Sequence, residues 1–241
     1  MQTEEYAKMR QQEDRYWWFV ARRALALELL APGLSPSNTI LDVGCGTGAL
    51  LEELQRRYKA GGVDFSRHAL AFSASRNLCV LSLGDAQRLP YQSSTFDSVV
   101  SLDTIEHVPD DLAATKEIAR VLKPGGCFVM NVPAYAWLWG PHDVALMHQR
   151  RYTATSVREL MLASGLHVER INYSVFFLFP VVVLMRVVER FQRGPAKVRL
   201  PKVGNGFNRA LVSLMAFEAR LAAKVRLPWG SSVVAIVRKP L

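Results

Sequence analysis

Residues 40–51, Ile-Leu-Asp-Val-Gly-Cys-Gly-Thr-Gly-Ala-Leu-Leu, decide how the chain is read. An apolar strand from Ile40 to Val43 runs into glycines at alternate positions, and helix-forming residues follow from Ala49 to Arg57. Gly44, Gly46 and Gly48 let the backbone take positive φ and approach a ligand with no Cβ in the way. The start of the helix presents N–H groups that have no partner within it. The pattern predicts a strand, a tight turn and a helix, with a flat or anionic ligand at the turn. Its spacing is neither the G-x-G-x-x-G of dinucleotide enzymes nor the G-x-x-x-x-G-K-[ST] phosphate loop, since no Lys follows the glycines.

The length of 241 residues suits one α/β domain with an insertion. Cys45, Cys79 and Cys127 lie in apolar settings without metal-ligand spacing, so they are expected to be reduced and cytosolic, and no metal is expected. Met1 to Asp14 is strongly polar, and no secretory leader is expected there. The longest apolar run, Val175 to Met185, has 11 residues and includes Pro180. That is too short for a bilayer core of roughly 30 Å. The expected location is cytoplasmic, with peripheral attachment to the inner face of a membrane.

That attachment is suggested by charge. Residues 1–144 hold 14 Lys/Arg against 17 Asp/Glu, whereas residues 145–241 hold 16 against 4. The whole positive excess is C-terminal, which points to an anionic partner surface, lipid head groups or nucleic acid.

Residues 3 to 30 predict one or two helices carrying Tyr16, Trp17, Trp18 and Phe19, then Arg22 and Arg23. They either pack on the sheet or form a lid over the ligand, with Arg22 reaching a carboxylate. Pro32 to Asn38 breaks the chain. Gly61 to Asp64 ends a second strand, and Asp64 stands where nucleotide-binding α/β folds place an acid that accepts from ribose hydroxyls. It could also cap the helix predicted over 67–77. Leu78 to Leu83 predicts a third strand ending in Gly84-Asp85-Ala86, and Phe96 to Leu102 a fourth, leading into Asp103-Thr104-Ile105-Glu106-His107-Val108. A helix capped by Pro109-Asp110-Asp111 runs to Leu122, and Lys123-Pro124-Gly125-Gly126 predicts a sharp turn into a fifth strand, Cys127 to Val132.

In that order, over residues 40 to 133, these motifs resemble the class I methyltransferases that use S-adenosylmethionine (SAM). The resemblance implies a Rossmann-like, seven-stranded, mostly parallel sheet whose last strand is antiparallel, with a helical insertion between strands six and seven. It implies one domain: an N-terminal helical lid over 1–38, a SAM-binding core over 39–173, an apolar basic insertion over 174–231 and a final strand over 232–241. The implied cofactor contacts are Asp42, Gly44, Gly46, Gly48, Asp64, Phe65, Asp85, Ala86, Leu102 and Asp103, with Arg22 from the lid. S-adenosylhomocysteine is the implied product.

After Pro133 come Tyr135, Trp137, Trp139, His142, Asp143 and His148-Gln149-Arg150-Arg151-Tyr152, on the face where ligands bind in open α/β sheets. The loop is similar to one in the methyltransferase branch associated with polysaccharide and lipid modification. His148 and His107 are the candidate general bases, with Asp143 to orient a ring. Trp18, Tyr135, Arg150, Arg151 and Tyr152 are candidate acceptor contacts, the guanidiniums suiting a phosphate or carboxylate. A solvated loop with packed aromatics is the plainer alternative.

A helix over Thr153 to Ser164, strand six over His167 to Tyr173 and a last strand over Ser232 to Arg238 complete the expected core. Between them, 174–231 carries ten Lys/Arg against two Asp/Glu and two apolar helical stretches, Val175 to Phe191 and Phe207 to Val225, joined by Gly194 to Gly206. Such helices suit a membrane interface, a cap over the site, or a homodimer contact. The expected reaction is methyl transfer to a small or lipid-linked acceptor such as a polyprenyl-linked sugar or a quinone precursor. An RNA or DNA methyltransferase is a second reading, disfavoured because no Asn/Asp-Pro-Pro-Tyr follows strand four. A non-catalytic SAM-binding subunit is a third.

Overall fold

The computed structural model describes residues 3–191, 201 and 203–241. Its centre is a seven-stranded sheet: β1 (Thr39–Val43), β2 (Lys59–Asp64), β3 (Leu81–Leu83), β4 (Phe96–Leu102), β5 (Leu122–Pro133), β6 (His167–Ser174) and β7 (Ser232–Arg238). The spatial order is β3-β2-β1-β4-β5-β7-β6, and β7 alone runs antiparallel, to both β5 and β6. This is the Rossmann-like sheet expected from the sequence.

Alternate residues of each strand face opposite sides, and the core divides accordingly. Leu41, Val43, Val99 and Phe128 pack on one side, with Ile118 and Met161. Ile40, Val100 and Val129 pack on the other, with Leu50, Leu54 and Leu29. Burial on both faces explains why β1 and β4 are apolar runs with little alternation.

The helices are α1 (Thr3–Gln12), α2 (Trp17–Leu30), α3 (Ala49–Gln55), α4 (Arg67–Ala74), α5 (Asp111–Val121), α6 (Pro141–Ala145), α7 (Ala154–Ala163), α8 (Phe179–Phe191) and α9 (Asn205–Ala222). Ser66, Asp110 and Thr153 cap α4, α5 and α7, each accepting a backbone N–H three residues on, as short oxygen-bearing side chains do at that position.

Three expectations are corrected. The third strand begins at Leu81 rather than Leu78, because Asn77 and Val80 hold positive φ and keep the approach out of the ladder. Lys123 to Gly126 lies inside β5 rather than before it; a register shift opposite Phe96/Ser98 absorbs it as a bulge, with Gly125 at φ 74°. The first insertion helix begins at Phe179 rather than Val175. Val175 is itself left-handed at φ 61°, and buried Glu218 accepts from the N–H groups of Val175 and Phe177. Pro180 then sits in the first turn, where its missing N–H costs nothing. Most of the expected 194–206 linker lies outside the described residues.

The order reverses between β1 and β4. In open α/β sheets the crevice outside the carboxyl ends of the strands at such a point is where ligands bind. Gly44 follows β1 and Asp103 follows β4, so the topology brings the two stretches together.

Candidate functional site

Gly44, Gly46 and Gly48 have φ of 78°, 55° and 85°, which is the left-handed backbone that glycine adopts without strain. A Cβ on Gly44 would collide with the Thr104 side chain. The loop is pinned from both sides: Gly46 N–H donates to Asp64 Oδ2 at 2.8 Å, and Ser73 Oγ donates to Gly46 O at 2.8 Å. Asp64 Oδ1 accepts from Ser66 N–H.

Asp42 and Asp64 are both buried. Burial, together with the Asp64 charge, pushes the Asp42 carboxyl up to about 8. Burial also raises Asp64, against the backbone N–H groups of Ser66 and Gly46. Two crowded carboxylates beside a glycine turn favour a ligand that brings positive charge and hydroxyl donors. SAM, with its sulfonium, ammonium and ribose, fits that demand. Around the same crevice, Phe65 is exposed at the rim, Asp85 accepts from Gln87 N–H at 2.9 Å, Ala86 packs on the core and Leu102 is half-buried.

The N-terminal segment lies over this loop. The Met9 Cε is 3.2 Å from the place a Gly46 Cβ would take. Thr47 Oγ1 donates to Glu13 Oε2, and Arg76 Nη2 donates to Glu13 Oε1 and Asp14 Oδ1, each at 2.7 Å. Arg76 also pairs with Glu52. Nothing in the sequence pattern announces this knot, since its paired members are separated by 24 to 63 positions.

At the end of β4 and β5, Asp103 and Tyr135 both hold positive φ, 51° and 58°. Side chains with a Cβ adopt this at a cost of order 1–3 kcal/mol, and it concentrates at functional edges. Arg22 forms an ion pair with Asp103 and lies over the Trp18 ring, 4.2 Å from its centroid. It thus reaches a carboxylate, one supplied by the protein. Asn131 Nδ2 donates to the other Asp103 oxygen at 3.0 Å.

Next to this pair the structure gathers the predicted acid–base residues. His148 Nδ1 lies 2.8 Å from Asp143 Oδ1, and the rings of His107 and His148 are 4.6 Å apart at 85°. Asp143 is wholly buried and grips Arg151 through both oxygens, at 2.8 and 2.9 Å. Burial works to raise this carboxyl, but the bonds from His148 and Arg151 hold it well below the usual carboxylate range. Burial and the His148 charge bring His107 down to about 4, and burial with Arg186 brings His142 down to about 3, so both rings are neutral near pH 7.

Glu106 completes the group. Its exposure is 0% and neither carboxylate oxygen has a hydrogen-bond partner among the described residues. Burial pushes its carboxyl up, opposed by the charges of Arg22 and Arg151. In the sequence, Glu106 carries no signal of its own beyond its neighbour His107.

The remaining candidates divide. Tyr135 stacks on Trp137 and Tyr173 at 5.6 and 5.3 Å and meets Phe179 at 5.9 Å, forming an aromatic wall. Arg150 is engaged by Asp111 and the Pro109 carbonyl, Arg151 by Asp143 and the Ala134 carbonyl, and the buried Tyr152 hydroxyl donates to Asp111. These three hold the loop against the sheet.

Residues 41–130 match a family model described as a methyltransferase domain. Cycloartenol-C-24-methyltransferase 1 of Oryza sativa subsp. japonica is 32% identical over 127 residues, which cover 49% of this chain and 35% of that protein. Demethylmenaquinone methyltransferase of Mycolicibacterium paratuberculosis is 37% identical over 122 residues, covering 49% and 48%. The chain thus spans about a third to a half of the length of these curated relatives. A solved structure of Haemonchus contortus phosphoethanolamine N-methyltransferase 2 in complex with SAM shares the fold, with a TM-score of 0.62 at 19% identity over 91% of this chain and 53% of that one.

Proposed function

We propose that the protein, whose residues 41–130 match a methyltransferase domain, moves the methyl group of SAM to a small or lipid-linked acceptor at a membrane surface. The reading rests on one observation: the glycine loop, with its buried carboxylates, follows β1 at the switch point of the sheet and packs on Thr104, three residues before His107 of the Asp143–His148–His107 group.

Bound at the loop, SAM supplies a methyl carbon activated by the sulfonium. Asp64 and Asp42 would accept from its donors, and Gly44 to Gly48 would let the backbone come close. Transfer is an in-line displacement, so the chain's main contribution is alignment of acceptor and methyl carbon. For a hydroxyl acceptor the O–H proton must leave as the new bond to carbon forms. His148, which Asp143 holds, is the residue assigned to take it in this reading.

The acceptor side is apolar. The wall formed by Tyr135, Trp137, Tyr173 and Phe179 suits a flat or greasy group. Relatives named for cycloartenol and demethylmenaquinone support an acceptor of that kind, whether a ring such as a quinone precursor or a sugar on a polyprenyl carrier.

The test is transfer of label from methyl-labelled SAM into extracted lipids and metabolites, followed by mass spectrometry. Gly46→Arg should abolish SAM binding. His148→Ala should lower turnover at least 100-fold, as loss of general-base catalysis does, with SAM affinity nearly intact. SAM binding by wild type with no label in any acceptor fraction would overturn the reading.

A further inference from the structure

Both carboxylate oxygens of buried Glu106 lack a hydrogen-bond partner among the described residues. We propose that Glu106, His107 and His148 form a binding site for one divalent transition-metal ion. Each of the three offers a ligand atom, and these atoms lie within 4.8 Å of one another. Two imidazoles and one carboxylate are the donor set of both catalytic zinc sites and mononuclear iron sites that keep positions open for a substrate. Ligands about 2.1 Å from a common ion stand ~3.4 Å apart in a tetrahedral arrangement, so closure onto an ion takes shifts of roughly an ångström.

The surroundings support the same conclusion. A buried carboxylate whose two oxygens lack any donor is costly, and an ion would supply what the protein does not. The His148 Nδ1 is already turned to Asp143, whose other contacts, Arg151 and the Gly140 N–H at 2.8 Å, fix its position. A carboxylate behind a histidine ring orients the opposite nitrogen for coordination and raises its basicity. His107 meets His148 nearly edge-to-face, at 85°, and a ligand atom of each ring lies within 4.8 Å of a Glu106 oxygen. With neutral imidazoles, Glu106, Asp143 and Asp103 against Arg22 and Arg151 sum to −1, so a doubly charged ion changes the cluster only to +1.

This site goes beyond the methyl-transfer reading. Only its use rests on that reading: an open position on the ion would hold an acceptor oxygen and lower the pKa of its proton, and His148 would then serve as a ligand rather than as the base.

The experiment is equilibrium dialysis of metal-stripped full-length protein against Zn2+, with elemental analysis, and titration with Co2+ followed by visible absorption. One Zn2+ per chain and a Co2+ spectrum of nitrogen–oxygen ligation are expected. Glu106→Gln and His148→Ala should each weaken Zn2+ binding by ~100-fold or more, while His167→Ala, at the exposed start of β6, should not. Glu106→Gln is isosteric and keeps the fold testable by circular dichroism. No zinc above the dialysis control, or binding unchanged in both variants, overturns the site. Stoichiometric zinc in a protein that transfers no methyl group leaves the site standing and removes the reaction. Turnover by a protein that takes up no zinc does the reverse.

Discussion

Thr47 Oγ1 donates to Glu13 at 2.5 Å, so the residue between the second and third glycines is held by the turn that follows α1. Arg76, only 4% exposed, joins the same carboxylate to Asp14 and Glu52. Removing one partner of a buried ion pair costs 3–5 kcal/mol in general. With Asp14 and Glu52 still beside Arg76, Glu13→Ala should fall at the low end, ~3 kcal/mol by denaturant titration. It should also weaken SAM binding, measured by calorimetry, because the segment over the loop is released. A folded variant with wild-type SAM affinity would show that this segment is not a lid.

Asp42 carries a pH signature. Unfolded, it ionises near 3.9; folded, it does so only near 8, because burial and Asp64 oppose its charge. Its contribution is therefore fully present below about pH 4 and declines by up to ~1.4 kcal/mol per pH unit as pH rises toward 8. Asp42→Asn should flatten the fall in melting temperature between pH 5 and 8 in the cofactor-free protein. An identical slope in both proteins would contradict the assignment.

Asp143 behaves in the opposite sense. Its carboxyl is held low, so its stabilisation is present above pH ~4 and is lost as acid protonates it. Asp143→Ala leaves Arg151 buried without its bidentate partner and should cost about 3–5 kcal/mol. The variant should lose less further stability than wild type on acidification. Chemical denaturation at pH 7 and at pH 3 measures both effects.

The helix α8 presents Val181, Leu184, Met185, Val187 and Val188 to solvent, with Leu184 at 64% exposure. None of the described helices is long and apolar enough to cross a membrane. An amphipathic helix lying in a membrane interface would present such a face, and the basic C-terminal part would add attraction for anionic lipid of about 1 kcal/mol per residue. Flotation with anionic liposomes should carry the protein at low salt. Leu184→Glu with Val188→Glu should abolish it, and rising salt should weaken it. A second copy covering this face instead would appear as a dimer in light scattering, without flotation.

Local signals made most of the frame legible. The strands over Phe96–Leu102 and Ser232–Arg238 run where the apolar pattern places them, and the glycine loop stands between strand and helix as its composition requires. His107, Asp143 and His148 were recognisable as chemistry-bearing types, and the fold brings them together. What stayed hidden depends on partners distant in the chain. Arg150 and Tyr152 both meet Asp111, about 40 positions away, and Arg22 meets Asp103 across 81. No spacing rule tells a free arginine from one already paired. Glu106 is silent in the sequence for a related reason: an acid stands out only through its burial and its lack of partners among the described residues.

Ser174 and Ser232 face each other across the β6–β7 ladder, so the insertion leaves the sheet and rejoins it at neighbouring points. The closing entropy of such a loop grows only logarithmically with its length, and the ladder does not register what lies between. The second inserted helix is fastened, with Asn172 donating to the Ala222 and Val225 carbonyls and accepting from Leu227 N–H. Its partner α8 is anchored mainly by Phe179 and Val182. Replacing the segment between Ser174 and Asn205 is therefore expected to change the surface that α8 presents while leaving the strand ladder and the glycine loop in place.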